Sequence, residues 1–250
     1  MNTLRNADLI IEARWIIPVE PADTTLENHA VVIRNGLIIY LLPTQQSRER
    51  YTATETVELP EHVLLPGLVN AHTHAAMSLL RGFADDLPLM PWLQEAIWPI
   101  EQKLVSSQFV YDGTSLAAAE MLFGGVTCAS DMYFFPDDDA RAFRDAGMRA
   151  AVGVTIMDLH SNYATTAEDY LQKGLQAREN WKENPLISFT LAPHAPYTVS
   201  NTSLERIATL AEELDANIHI HVHETTQEIS DSLTRHGVRP LTRLDSLGLI

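Results

Sequence analysis

Apolar positions follow two different patterns along the chain. In residues 1–65 they come as short runs. Asp8–Pro18 holds Leu9, Ile10 and Ile11, then Trp15–Ile17, and Val31–Leu42 holds two more runs around Asn35-Gly36. An Asn-Gly pair between apolar runs predicts a two-residue hairpin turn, since both turn positions want positive φ. Thr56–Leu59 suggests one more short strand, and no helix is predicted in this stretch. From Pro66 onward, short apolar strands alternate with helical stretches, as in a parallel α/β arrangement. Strands are predicted at Leu68–Ala71, Val126–Ser130, Ala150–Ile156, Ile187–Ala192 and Asn217–Val222. Helices are predicted at Ser107–Phe123, Ala167–Lys182, Ser203–Leu214 and Thr226–His236. Gly124-Gly125 suits a helix C-terminus, and Thr202 or Ser203 with Glu205 suits an N-terminus. Arg81–Gln102, with Pro88, Pro91, Pro99, Trp92 and Trp98, breaks the alternation and reads as an insertion after the first strand of the set.

Composition narrows the function classes. The 250 residues are 46% apolar and carry 17 Lys+Arg against 33 Asp+Glu, a formal charge of −16. That apolar share excludes a disordered chain. The negative balance argues against nucleic acid as a partner, because phosphate binding wants a basic face. No apolar run approaches the roughly 20 residues of a spanning helix, so no membrane partner is expected. Asp8, Glu12 and Arg14 interrupt what would be the apolar core of a signal peptide. A lone Cys128 cannot form an intrachain disulfide and fits a reducing cytoplasm.

The candidate chemistry is carried by histidines. His72 and His74 form a His-x-His pair in the run Pro66–His74. Residues two apart in a strand point to the same side, so both imidazoles meet at one strand end, within reach of one metal ion. His219, His221 and His223 alternate in Ile218–Glu224 and share a face in the same way. Periodicity does not choose among these three, although one of them, His219 at least, is expected to be a core histidine bonded to backbone. Glu224, where that strand should end, is a candidate proton shuttle. His194 lies between Pro193 and Pro196 in a stiff loop after a strand, where parallel α/β proteins place ligand contacts. Asp131, taken to follow the strand ending at Ser130, is a candidate for binding a neighbour's backbone or orienting a ligand histidine, beside the commoner role of a turn aspartate.

The motifs Pro66–His74, Met77–Gly82, Asp131–Tyr133, Pro193–Tyr197 and Ile220–Thr225 together resemble the amidohydrolase superfamily. The resemblance runs through essentially the whole chain. It is nearest to the branch of 5′-methylthioadenosine/S-adenosylhomocysteine deaminases, close to the triazine chlorohydrolases and the guanine and cytosine deaminases. It implies an α/β fold, a (β/α)8 barrel with its metal at the C-terminal mouth, and a small β-sandwich domain. On that view residues 1–65 belong to the sandwich and residues 66–250 are the first five barrel units. It implies His72, His74 and His221 as metal ligands for zinc or iron, and Glu224 as general acid/base. It implies substrate contacts from His194, Glu101 and Glu224, with Trp92 bordering the pocket. The implied reaction is hydrolytic deamination of an adenine nucleoside, with a small-molecule nucleoside and a second copy of the chain as partners.

Two departures from the pattern are visible. Gly153–Met157, around Val154, lacks the arginine the superfamily commonly uses to contact its ligand. The histidine of strand six and the aspartate of strand eight have no counterparts before Ile250. The reading that follows is an N-terminal portion, inactive when isolated. A free heterocycle such as guanine or a triazine is the alternative substrate class.

Overall fold

The structure, a computed structural model, describes residues 4–250 and divides into two compact units, Met1–Gly67 and Leu68–Ile250. The first unit is a four-stranded sheet in the order β3-β2-β1-β4, built from β1 (Arg5–Ile16), β2 (Leu26–Arg34), β3 (Leu37–Pro43) and β4 (Tyr51–Leu64). The hairpin joins β2 to β3 at Asn35 (φ 53°) and Gly36 (φ 73°), as the Asn-Gly pair predicts. β1 pairs antiparallel with β2 and parallel with β4.

Two expectations for this unit are corrected. β4 is 14 residues long, far beyond Thr56–Leu59. Its alternating Thr and Glu residues hide it from an apolar count, and as an edge strand it tolerates Pro60. A helix, α1 (Thr44–Arg50), is also present. It has no apolar stripe, so periodicity cannot reveal it. Arg48 on α1 instead pairs with the buried Glu12 carboxylate of β1, which tethers the helix to the sheet.

The second unit begins with a four-stranded, wholly parallel sheet, β5 (Leu68–Thr73), β6 (Val126–Tyr133), β7 (Arg149–Ile156) and β8 (Ile187–Pro193), in chain order. This is the start of a (β/α)8 barrel, and the barrel is not closed. Each crossover carries a helix: α4 (Ser107–Phe123), α5 (Pro136–Asp145), α6 (Ala167–Trp181) and then α7 (Asn201–Leu214). The acidic run Asp137–Asp139 is the first turn of α5, where carboxylates favour the helix dipole. Helix α7 starts earlier than predicted, because the Ser200 hydroxyl is the one that caps it, accepting from the Ser203 N–H at 3.3 Å. α8 (Thr226–His236) and α9 (Pro240–Ser246) follow. The insertion after β5 is largely helical: a 3-10 turn at Ala75–Leu80, α2 (Leu89–Pro91), a π-helical turn at Trp92–Ile97 and α3 (Trp98–Leu104). No helix among the described residues is long and apolar enough to cross a membrane.

Burial of side chains such as Tyr170, Phe143, Ile156, Leu204 and Ile207 between sheet and helices holds this layer, each worth about 1.5–3 kcal/mol. Close approach matters next to the site. A Cβ at Gly113 of α4 would lie 2.3 Å from the Ala76 carbonyl oxygen, so only glycine lets α4 seat against the turn that follows His74.

The predicted fifth strand is corrected. Asn217–Val222 runs beside β8 but makes only an isolated bridge, Leu191 to Ile218. Its backbone bonds all go to one side, from the Leu191 N–H to Asn217 O (2.9 Å), His219 N–H to Leu191 O (2.9 Å) and His221 N–H to His194 O (3.1 Å). One-sided bonding leaves a ribbon rather than a ladder.

Candidate metal centre and active site

Three histidines converge at the C-terminal ends of the strands. His72 is the next-to-last residue of β5, His74 lies one residue beyond β5, and His221 is on the ribbon beside β8. The His221 Nε2 lies 3.2 Å from the Nε2 atoms of both His72 and His74. These three residues form the group that could hold a metal ion among the described residues.

The outer ring nitrogens explain the convergence. His74 Nδ1 sits 2.6 Å from the Met132 carbonyl, and His221 Nδ1 lies 2.8 Å from the His194 carbonyl. A carbonyl only accepts, so each ring carries its proton on Nδ1 and turns a bare lone pair inward from Nε2. His72 Nδ1 is 2.9 Å from His219 Nε2, and His219 Nδ1 is 3.3 Å from the Ser130 hydroxyl. For His72 to turn its Nε2 lone pair inward as well, its Nδ1–H must donate to His219 Nε2, and the His219 Nδ1–H then donates to the Ser130 hydroxyl. Inward lone pairs 3.2 Å apart with no proton between them repel unless a cation lies among them. The donor set therefore fits a metal, with outer partners that fix each ring. Burial also keeps the rings neutral: it lowers His74 to about 4, with its neighbouring imidazoles adding to the effect. His72 and His219 are lowered in the same way, burial first.

This corrects the expectation for His219. It is half-buried and bonds to a side chain, the ring of His72, rather than to backbone. Asp131 also sits inside β6, not after it. Its Oδ1 accepts the Ala75 N–H at 2.6 Å, so the backbone-binding role holds, in the turn just past His74. Burial raises both the Asp131 and the Asp139 carboxyls, and Asp139 accepts from the Thr114 hydroxyl at 2.8 Å.

A pocket opens beside the histidines. His74, His194, His221, Glu101, Trp92 and Glu224 all line it, so every site residue implied by the family resemblance except His72 lines one cavity, and His72 touches His221 at its edge; His219, His223 and Asp131 do not line it. Glu224 accepts from the Tyr197 hydroxyl at 2.8 Å. Burial and the Glu224 charge push the Tyr197 phenol up, so it stays a donor. His194 Nδ1 is 2.8 Å from the Thr198 hydroxyl, whose own hydrogen goes to the Ala195 carbonyl at 3.2 Å. His194 is therefore the Nδ1–H tautomer with Nε2 free to accept, and burial lowers it to about 3. Glu101 on α3 accepts from the Tyr133 hydroxyl at 2.6 Å, and burial raises its carboxyl. Asn162 holds the C-terminal end of α3 by donating to the Glu101, Gln102 and Val105 carbonyls.

Sequence reasoning did not assign roles to Tyr133, Asn162 or Tyr197. Tyr133 and Tyr197 end the motifs Asp131–Tyr133 and Pro193–Tyr197, so a signal was present for both. Asn162 lies in a loop with no pattern around it.

Comparison with known proteins gives a consistent result. Residues 63–250 match the profile described as the amidohydrolase family. The chain is 53% identical over 250 residues to a 5-methylthioadenosine/S-adenosylhomocysteine deaminase of Saccharophagus degradans, covering 100% of this chain and 56% of that protein. A crystal structure of an adenosine deaminase from Xanthomonas campestris, with bound zinc, superposes with a TM-score of 0.97 at 48% identity, covering 99% of this chain and 56% of that one. The atrazine chlorohydrolase of Arthrobacter aurescens shares the fold at 18% identity, with a TM-score of 0.86 over 96% of this chain and 58% of that one. The chain thus spans a little over half the length of the curated relative it matches.

Proposed function

Because the chain belongs to the amidohydrolase family, we propose that it serves a metal-dependent hydrolytic deaminase of adenine nucleosides. The observation that carries this reading is one pocket lined by His74 and His221 of the three converging imidazoles, by the Tyr197–Glu224 pair and by the Tyr133–Glu101 pair, with His72 against His221 at its edge. His72, His74 and His221 hold the metal. All-imidazole donors suit zinc, with iron the alternative. When bound, the metal supplies Lewis-acid activation of water at neutral pH.

The protein's own groups do the rest. Glu224, with Oε2 held by the Tyr197 hydroxyl, takes a proton from the attacking water at its other oxygen and passes it toward the adenine ring nitrogen. Water adds at C6, the proton left on the added oxygen passes through Glu224 to the amino group, and the C6–N bond breaks as the C6 carbonyl forms, so that the amino group leaves as ammonia. His194 presents Nε2 as an acceptor to the substrate. Glu101 accepts from the ribose hydroxyls, and the Tyr133 hydroxyl keeps it aimed. Trp92 gives the substrate an apolar wall. No Lys or Arg among the described residues lines this pocket, whereas Met77, Leu89, Leu93 and Met157 do. Those apolar side chains suit the apolar 5′ substituent of 5′-methylthioadenosine.

The test is ammonia release by the full-length, zinc-loaded protein from 5′-methylthioadenosine, S-adenosylhomocysteine, adenosine and guanine. Turnover of the nucleosides, lost in Glu224→Gln, supports the reading. Turnover of guanine alone would transfer it to the free-heterocycle class.

A further inference from the structure

Glu228 is a buried carboxylate outside the groups assigned above. It stands in the first turn of α8, where Thr225 caps the helix by accepting the Glu228 N–H at 3.0 Å. In an ordinary capping box, a glutamate at this position reaches back to the cap residue's own N–H. Here it reaches one and two residues further back. Oε1 accepts the His223 N–H at 3.1 Å and Oε2 accepts the Glu224 N–H at 2.7 Å. Two consecutive amides can point at one carboxylate because His223 is left-handed, with φ at 60°. Successive residues of opposite hand turn their N–H groups into a small anion-binding nest. A left-handed conformation is unfavourable for a residue with a Cβ and persists where the surroundings enforce it. Glu228 accepts from both amides of this bend while shielded from water, and the His223 ring accepts a longer bond, 3.5 Å, from the Leu241 N–H.

We infer that Glu228 is a positioning residue for Glu224: it holds the left-handed bend at His223 and thereby fixes the Glu224 backbone, so that its carboxylate meets Tyr197 and faces the histidine cluster. This rests on the proposed proton-transfer role of Glu224. The metal ligand next door is held separately, since the His221 N–H and Nδ1 both bond to the His194 carbonyl. The clamp therefore acts on proton transfer and not on metal binding.

The experiment compares the full-length, zinc-loaded protein with E228Q and with E228Q carrying His223→Asn. Glutamine keeps one acceptor but turns an NH2 group against the second amide. Asparagine tolerates the left-handed region better than histidine, so it restores part of the bend without the clamp. Expected for E228Q is a ten- to hundredfold fall in kcat with KM within about twofold, and zinc retained through chelator competition. Hydrogen exchange at the His223 and Glu224 amides should quicken, and the added H223N should recover several-fold in kcat. A folded E228Q with unchanged kcat and unchanged exchange would overturn the inference, as would zinc loss parallel to activity loss. A helix-capping role alone would lower the melting temperature without the H223N rescue. Absence of nucleoside turnover in the unsubstituted protein would instead sink the deaminase reading, with the exchange measurement still deciding the clamp.

Discussion

Acid should unfold the metal-free protein through two histidines, and the size of the effect can be worked out in advance. His74 and His194 titrate at about 4 and about 3 in the folded protein, because burial opposes their charged forms. An unfolded histidine takes its proton near pH 6.5. Both folded values lie below that, so the unfolded chain binds protons first as the pH falls. Stability is then fully present above pH 6.5 and declines below it, until pH 4 for His74 and pH 3 for His194. Each contributes a loss of about 1.4 kcal/mol per pH unit in its window. The pair together costs about 2.7 kcal/mol per unit, a large fraction of the roughly 5–15 kcal/mol that keeps a domain folded. Carboxylates begin to titrate below pH 5, so the clean comparison runs from pH 6.5 to 5. Over that span His194→Gln should remove about 2 kcal/mol of the pH dependence. The assay is urea unfolding of the chelator-treated full-length protein and of the variant at half-unit steps. Identical pH slopes in the two proteins would refute the reasoning, since they would mean that His194 is not buried neutral.

Three further outcomes test other parts of the site. His219→Ala should weaken zinc binding about 10- to 100-fold in chelator competition, because the outer partner of a ligand histidine fixes its tautomer and orientation; unchanged affinity would show that His72 needs no such partner. Glu101→Gln and Tyr133→Phe should each raise KM for a nucleoside, by the loss of a hydrogen bond worth about 1–3 kcal/mol, while leaving KM for a free base unchanged. Gly113→Ala should cost about 1–3 kcal/mol in denaturant unfolding, because its new methyl meets the Ala76 backbone, and an unaltered midpoint would mean that α4 can retreat from that turn.

Much of the local structure could be read from short-range patterns. The Asn35-Gly36 turn and the helix Thr226–His236 are where turn chemistry and capping residues place them. Three of the barrel strands were legible at their starts but extend further: β6 runs on to Tyr133 and carries Asp131 inside it. Helix α1 was not legible, because what docks it is the pairing of Arg48 with Glu12, 36 positions earlier, and with Glu58 on β4. The ribbon Asn217–Val222 shows the opposite failure. Its alternation is strand-like, but pairing on one side only does not make a ladder there.

The sequence by itself brought His72 and His74 to one strand end and predicted a shared face for His219, His221 and His223, an alternation that the left-handed His223 breaks. Alternation reports a face and nothing beyond it. The tertiary structure decided how the three divide their work. His221 meets His72 and His74 across 149 and 147 positions, His219 turns to the back of His72, and His223 bends the chain into α8. Such roles depend on which rings meet across the sheet and where each Nδ1 proton goes. Both follow from contacts between distant segments, which a periodicity of two residues cannot encode.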